Sequence, residues 1–131
     1  MVFDVEKEIK IFWIAGTIVL LVYGAWLFIS PESYYAVFGA GGDIATFAAR
    51  SVGGIYIAWA IIAIILFKKL DNWEKIEEWI LFGVLEQILI FIAVIIDIVM
   101  NKILELHGIM LIIINIFFVV LGIHILIQKR K

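Results

Sequence analysis

An all-α, polytopic membrane protein, a four-transmembrane-helix antiparallel bundle, is the fold class this sequence predicts, and three observations predict it. Four apolar stretches, Ile11 to Ile29, Ile44 to Phe67, Trp79 to Met100 and Leu106 to Ile127, run 19, 24, 22 and 22 residues. A hydrocarbon core of about 30 Å needs roughly 20 residues of helix at about 1.5 Å each, so every stretch is long enough to cross. Hydrophobic residues make up 66% of the chain, with a mean hydropathy of +1.18. Charged residues are held to 17% and gather mostly in the joints between the stretches. Residues 1–131 therefore read as a single four-helix transmembrane domain with almost nothing left over to form a soluble one.

The elements follow in order. The flank before Ile11 is acidic as well as basic, and the apolar run after it exceeds a signal-peptide core, so the first span is expected to stay in the mature protein. In Ser30-Pro31-Glu32-Ser33, Ser30 can cap a helix whose first position is Pro31, where a missing N–H costs nothing. A short interfacial helix is expected through Tyr34, Tyr35, Val37 and Phe38 to Gly39, with Gly41, Gly42 and Asp43 turning the chain into the second span. Asp71 with Glu74 reads as a capping box that starts the third helix before the membrane, and places Trp73 and Trp79 near headgroup level. The turn around Asn101 is short, so the third and fourth helices should be antiparallel neighbours. Gly108, Asn115 and Gly122, spaced by sevens, form one stripe on the fourth span, and Gly16, Leu20 and Tyr23 a comparable one on the first.

Charge decides orientation. Lys7, Lys10, Lys68, Lys69, Lys75, Lys129, Arg130 and Lys131 fall on one side, Lys102 alone on the other, and Arg50 is the one basic residue inside a span. By the positive-inside rule both termini face the cytoplasm, across the cell membrane. The chain has no cysteine, which excludes disulfides, thiolate metal sites, iron–sulfur clusters and the dithiol relay of quinone-linked thiol oxidoreductases. His107 and His124 lie seventeen residues apart on one helix, about 25 Å, and cannot ligate the two faces of one haem. No cofactor, metal or nucleic acid is expected; the expected surroundings are membrane lipids, further copies of the chain, or other subunits of a membrane complex.

Polar residues inside the spans are the remaining chemical signal. Arg50 lies six residues into the second span and Asp97 three from the same end of the third, depths of about 9 and 5 Å, which lets a guanidinium reach a carboxylate. The pair reads as a structural tie between helices two and three, or as an anion or headgroup site with Arg50 as donor. Glu86, with Gln87 beside it, is deep in the third span with no Lys or Arg at its depth. A carboxyl placed there is expected to stay neutral, since desolvation penalises the anion. Gly83, Glu86, Ile90, Ala93 and Asp97 share one helical face, and Thr17 and Tyr56 fall near the depth of Glu86 as candidate hydrogen-bond partners. Asn115 puts one amide at the middle of the fourth-span stripe. Glu86 reads as structural glue, or as a carboxyl that carries protons or binds substrate.

Pro31-Glu32-Ser33-Tyr34-Tyr35-Ala36-Val37-Phe38-Gly39, followed by Arg50-Ser51-Val52-Gly53-Gly54 early in the next span, resembles the pattern of small four-helix proteins in the DoxX-like superfamily. The resemblance spans the chain by architecture and these two motifs by residue. It implies a four-helix bundle found alone or as an accessory to membrane redox complexes, and it carries over no catalytic residue.

Three function classes result. A non-enzymatic bundle serving as a scaffold or accessory subunit needs only lipid-facing and partner-facing surfaces, which this chain has. A small oligomeric proton-coupled transporter or channel would use Glu86, in a manner resembling small multidrug transporters, although theirs is a first-helix acid and their charge bias is weaker. A lipid-acting membrane enzyme would bind phosphate at Arg50 and use Asp97 or Glu86 as acid or base, but no nucleophile motif or cluster of metal-binding acids accompanies them.

Overall fold

A computed structural model of the protein describes residues 4–37, 46–101 and 106–130; the side chains of Val37, Thr46, Phe47, Ala48, Asp97, Met100, Asn101, Leu106, His107 and Gly108 are not described. The described residues are all-α: α1 (Val5–Ile29), α2 (Pro31–Val37), α3 (Thr46–Leu66), a 3-10 turn at Phe67–Lys69, α4 (Trp73–Asn101) and α5 (Leu106–Lys129). Four helices are long and apolar enough to cross a membrane, Val5–Ile29, Ala49–Lys69, Trp73–Ile96 and Ile109–Lys129. The chain is a multi-pass integral membrane protein of the four-span class, with a short helix after the first span. The expected turn at Gly39 to Asp43 and the connection after Asn101 lie outside the described residues.

Two of the helices, α1 and α4, start earlier than their apolar runs because capping, not hydropathy, sets their first residues. Asp4 Oδ1 accepts hydrogen bonds from the amides of Glu6 and Lys7 at 3.2 and 3.4 Å, so α1 begins at Val5, one and a half turns before Ile11. Desolvation pushes the Asp4 carboxyl up, but the amides of Lys7 and Glu6 and the Lys7 ammonium together outweigh it and hold the group below its ordinary range. At the far end, the Ser30 amide donates to the Trp26 carbonyl and the Ser30 carbonyl accepts from the Tyr34 amide, so α1 passes into α2 through one residue with Pro31 at the first helical position. The third helix starts one residue later than the Asp71–Glu74 spacing suggested. Asn72 occupies the cap position, and its carbonyl accepts from the Lys75 amide.

The chain groups into two compact units, Trp13–Lys68 and Met1–Phe12 with Lys69–Lys131. In the first, α1 and α3 run antiparallel. The Trp13 indole N–H donates to the Ala63 carbonyl at 2.7 Å. About three turns away, further along α1 and back along α3, Gly24 and Gly53 meet backbone to backbone: a methyl on Gly53 would stand 2.6 Å from the Phe28 amide nitrogen and 2.7 Å from the Gly24 carbonyl oxygen. Helices approach this closely only where no side chain intervenes. At the α2 end, the buried Tyr34 ring stands edge-on to Tyr23, Trp26 and Tyr35 at 5.9, 5.5 and 5.3 Å.

In the second unit α4 and α5 run antiparallel, with Val84 against Gly122 and Glu77 against Arg130. Ile76, Ile80 and Val84, at successive intervals of four on α4, are buried, as are Phe118 and Ile125 on α5. The start of α1 joins them: Ile9 and Phe12 are buried, and the Phe12 ring lies edge-on to Phe118 at 5.3 Å and against Gly83 and Gly122.

Candidate functional site

The second unit holds most of the chain's organised polar chemistry. Because α1 begins at Val5, Glu8 and Phe12 stand one turn apart on one face, and Glu8 is buried with its neighbour Ile9. Glu8 Oε2 lies 2.8 Å from His124 Nδ1 on α5, and His124 Nε2 lies 3.2 Å from the Gln128 amide nitrogen one turn further on. An amide nitrogen only donates. Gln128 as placed therefore donates to Nε2, which makes Nδ1 the protonated nitrogen that donates to Glu8. The result is a chain Gln128 to His124 to Glu8, which closes α5 onto the first turns of α1.

A second polar tie closes α4 onto the end of α5. Glu77 Oε1 accepts from Arg130 Nε and Nη2 at 3.0 and 2.9 Å, and the Lys129 ammonium sits 5.9 Å from the Trp73 ring centre. Arg130 is well exposed, which limits the ion pair to about 0–1 kcal/mol.

Asn115 is the other distinctive group. It is 1% exposed, and neither its Nδ2 nor its Oδ1 has a hydrogen-bond partner among the described residues. It lines a cavity of about 160 Å³ between α4 and α5, whose other walls are Ile88, Phe91, Ile116, Val119 and Val120. The stripe of sevens is accordingly not uniform: Gly122 is filled against Val84 and Phe12, while Asn115 borders the cavity without presenting its amide to it.

The remaining residues singled out from sequence are placed as follows. Glu86 and Gln87 are half-buried on α4, and the Glu86 carboxyl has no hydrogen-bond partner among the described residues. Thr17 donates its hydroxyl to the Trp13 carbonyl one turn earlier in its own helix, at 2.8 Å. Tyr56 stacks at a tilt on Trp59, 5.8 Å between ring centres, and its Cβ borders Gly24. Arg50 is exposed on α3, and the side chain of Asp97 lies outside the described residues. Among the described residues no three His, Asp or Glu side chains gather as a metal site. Sequence reading missed Glu8 as a structural group because it began the first helix at the apolar run. Asp4 as N-cap was the signal that would have placed Glu8 and Phe12 on one buried face.

Comparison with protein-family models, with curated proteins and with solved structures yields no match to this chain.

Proposed function

We propose that this protein is a non-enzymatic accessory or scaffold subunit of a larger membrane assembly, held in the cell membrane with both termini in the cytoplasm. One observation carries the reading. Phe82, Leu85, Leu89, Ile92, Ile96 and Val99 follow one another on α4 at intervals of three and four and are all exposed, from 44% to 68%. An apolar seam of that spacing, about five turns long, offers a further helix a surface to pack against. Two polar ties in the second unit, Glu8 to His124 and Glu77 to Arg130, hold its own helices together, which suits a rigid platform, and the DoxX-like resemblance of the sequence points the same way.

A photo-crosslinking residue at Leu89, in native membranes, tests this. The expected product is a discrete protein adduct of constant mass, absent when the same residue stands at Ile65 on α3. Adducts to lipid alone at both positions would overturn the reading.

The half-buried carboxyl of Glu86, without a hydrogen-bond partner among the described residues, favours a second reading, proton-coupled transport. Under it, Glu86→Gln leaves melting unchanged but abolishes pH-driven uptake in proteoliposomes, because an amide releases no proton at accessible pH. Under the scaffold reading, both stability and partner adducts survive the substitution.

A further inference from the structure

We propose that α1 and α4 carry the two halves of an interface between copies of this chain, with α1 of one copy lying parallel along the α4 seam of the next. The inference rests on the scaffold reading and deepens it by naming the helix that covers the seam. Ile11, Ile14, Ile18, Val22 and Ile29 stand on one face of α1, all exposed, from 47% to 74%. With exposed Lys7 and half-buried Ala25 they follow one another at intervals of four, three, four, four, three and four. On α4 the exposed residues Glu74, Glu78, Leu81, Leu85, Leu89, Ile92 and Ile96 follow the same intervals. Each α1 position therefore has an α4 counterpart 67 residues on, from Lys7 with Glu74 to Ile29 with Ile96. Depth asks for the same match. As first and third of the four spans the two helices cross in one direction, and Val5–Ile29 and Trp73–Ile96 begin and end within one residue of that offset.

Charge says which helix belongs on which seam. The α4 seam starts at Glu74 and Glu78, both exposed and without an ion pair among the described residues. Two α4 seams side by side would set these acids against their own copies. The α1 seam starts at Lys7, whose side chain is 79% exposed and tied only to the exposed Asp4, and Lys10 one turn on has no ion pair among the described residues. Two α1 seams would set these cations against each other. Laid along α4 at the offset of 67, Lys10 falls between Glu74 and Glu78, within a turn of each. An α1–α4 contact is thus the one of the three that brings opposite charges together, which fixes partner and register more than it adds affinity. Lys68 and Lys69 offer no equivalent on α3, because they lie in the 3-10 turn beyond it and off its helical rows. Nor do the seams close within one chain, where the two helices meet through other faces, Phe12 of α1 against Gly83 of α4. The contact is heterologous: each copy offers its α1 to one neighbour and its α4 to another, and the assembly grows as a ring or a row.

The chain has no cysteine, so cysteines introduced on two separately tagged, co-expressed copies report the contact by disulfide formation in native membranes. Val22→Cys on one copy and Leu89→Cys on the other, at one depth, are expected to link. Val22→Cys with Val99→Cys, about 15 Å further along the α4 seam at about 1.5 Å per residue, is expected not to. Lys10→Glu on the first copy should lower the Val22–Leu89 yield at least about threefold, and Glu78→Lys on the second should restore it. Seven of the eight basic residues assigned to that side remain, which preserves the charge bias that orients the chain. A yield no higher than that of the Val99 pair would overturn the inference. So would Leu89-to-Leu89 links in excess of Val22-to-Leu89 ones, or a yield indifferent to both charge changes. An unlinked Val22–Leu89 pair beside a Leu89 photo-adduct to some other protein would sink this inference and leave the scaffold reading standing, whereas adducts to lipid alone would sink both.

Discussion

His124 shows how much one side chain settles at the residue scale. Its two nitrogens face an acid and an amide, and the amide dictates which of them carries the proton. Replacing Glu8 by Ala leaves the Nδ1–H without its acceptor and should lower stability by about 1–3 kcal/mol, whereas Glu8→Gln retains a carbonyl oxygen and should cost clearly less. A double-mutant cycle of Glu8→Ala with His124→Ala, followed by unfolding in detergent, should return a coupling of about 0.6–1.7 kcal/mol. Strict additivity would mean that the two groups do not act on each other. Gly122 makes the complementary point about space. A methyl there would run into Val84 and approach Phe12 to 3.0 Å. Gly122→Ala should therefore destabilise by about 1–3 kcal/mol in spite of the better helix propensity of alanine, and Val84→Ala in the same chain should recover part of the loss.

At the scale of elements, neighbouring glycines on α3 have opposite fates. A methyl on Gly53 meets the backbone of α1, which cannot give way, while one on Gly54 comes no closer than 3.6 Å to the Phe28 ring. Gly53→Ala should lower the melting temperature in detergent by several degrees, and Gly54→Ala should leave it level or raise it, since replacing a helical glycine gains about 1 kcal/mol. Equal effects would place the α1–α3 contact elsewhere. The first turn of α1 offers a test by pH. The Asp4 carboxyl is held below its ordinary range, so its capping bonds are fully present above that range and are lost as pH falls through the lowered value. Protection of the Glu6 and Lys7 amides against exchange should fall with it, and Asp4→Ala should remove the pH dependence.

For the whole molecule the open question is orientation, and it rests on charge. With eight basic residues assigned to one side and Lys102 to the other, cysteines introduced singly at Ser33 and Lys131 should react with a membrane-impermeant thiol reagent from opposite sides, Ser33 from outside. The absence of native cysteine makes the labelling clean. Equal labelling from one side would refute the charge argument and with it the proposed placement of the termini.

Hydropathy and punctuation, read from the chain alone, determined the four spans, the all-α class and the short helix at Pro31, because each depends on local sequence and on the thickness of a bilayer. The helix starts were legible in principle through Asp4 and Asn72, whose caps operate over three or four residues. The partners of the buried polar groups were not. Whether Thr17 bonds outward or to its own Trp13 carbonyl, whether Glu8 is a solvated flank or half of a buried pair, and whether Gly122 and Asn115 on one stripe are filled or hollow all turn on residues tens of positions away. In a chain where nearly every span residue is apolar, periodicity marks a face but does not say what stands against it. Only the tertiary structure decided that Gly24 meets Gly53, that His124 meets Glu8 and that the buried amide of Asn115 finds no hydrogen-bond partner among the described residues, because backbone proximity and burial are properties of helices packed together, not of any helix by itself.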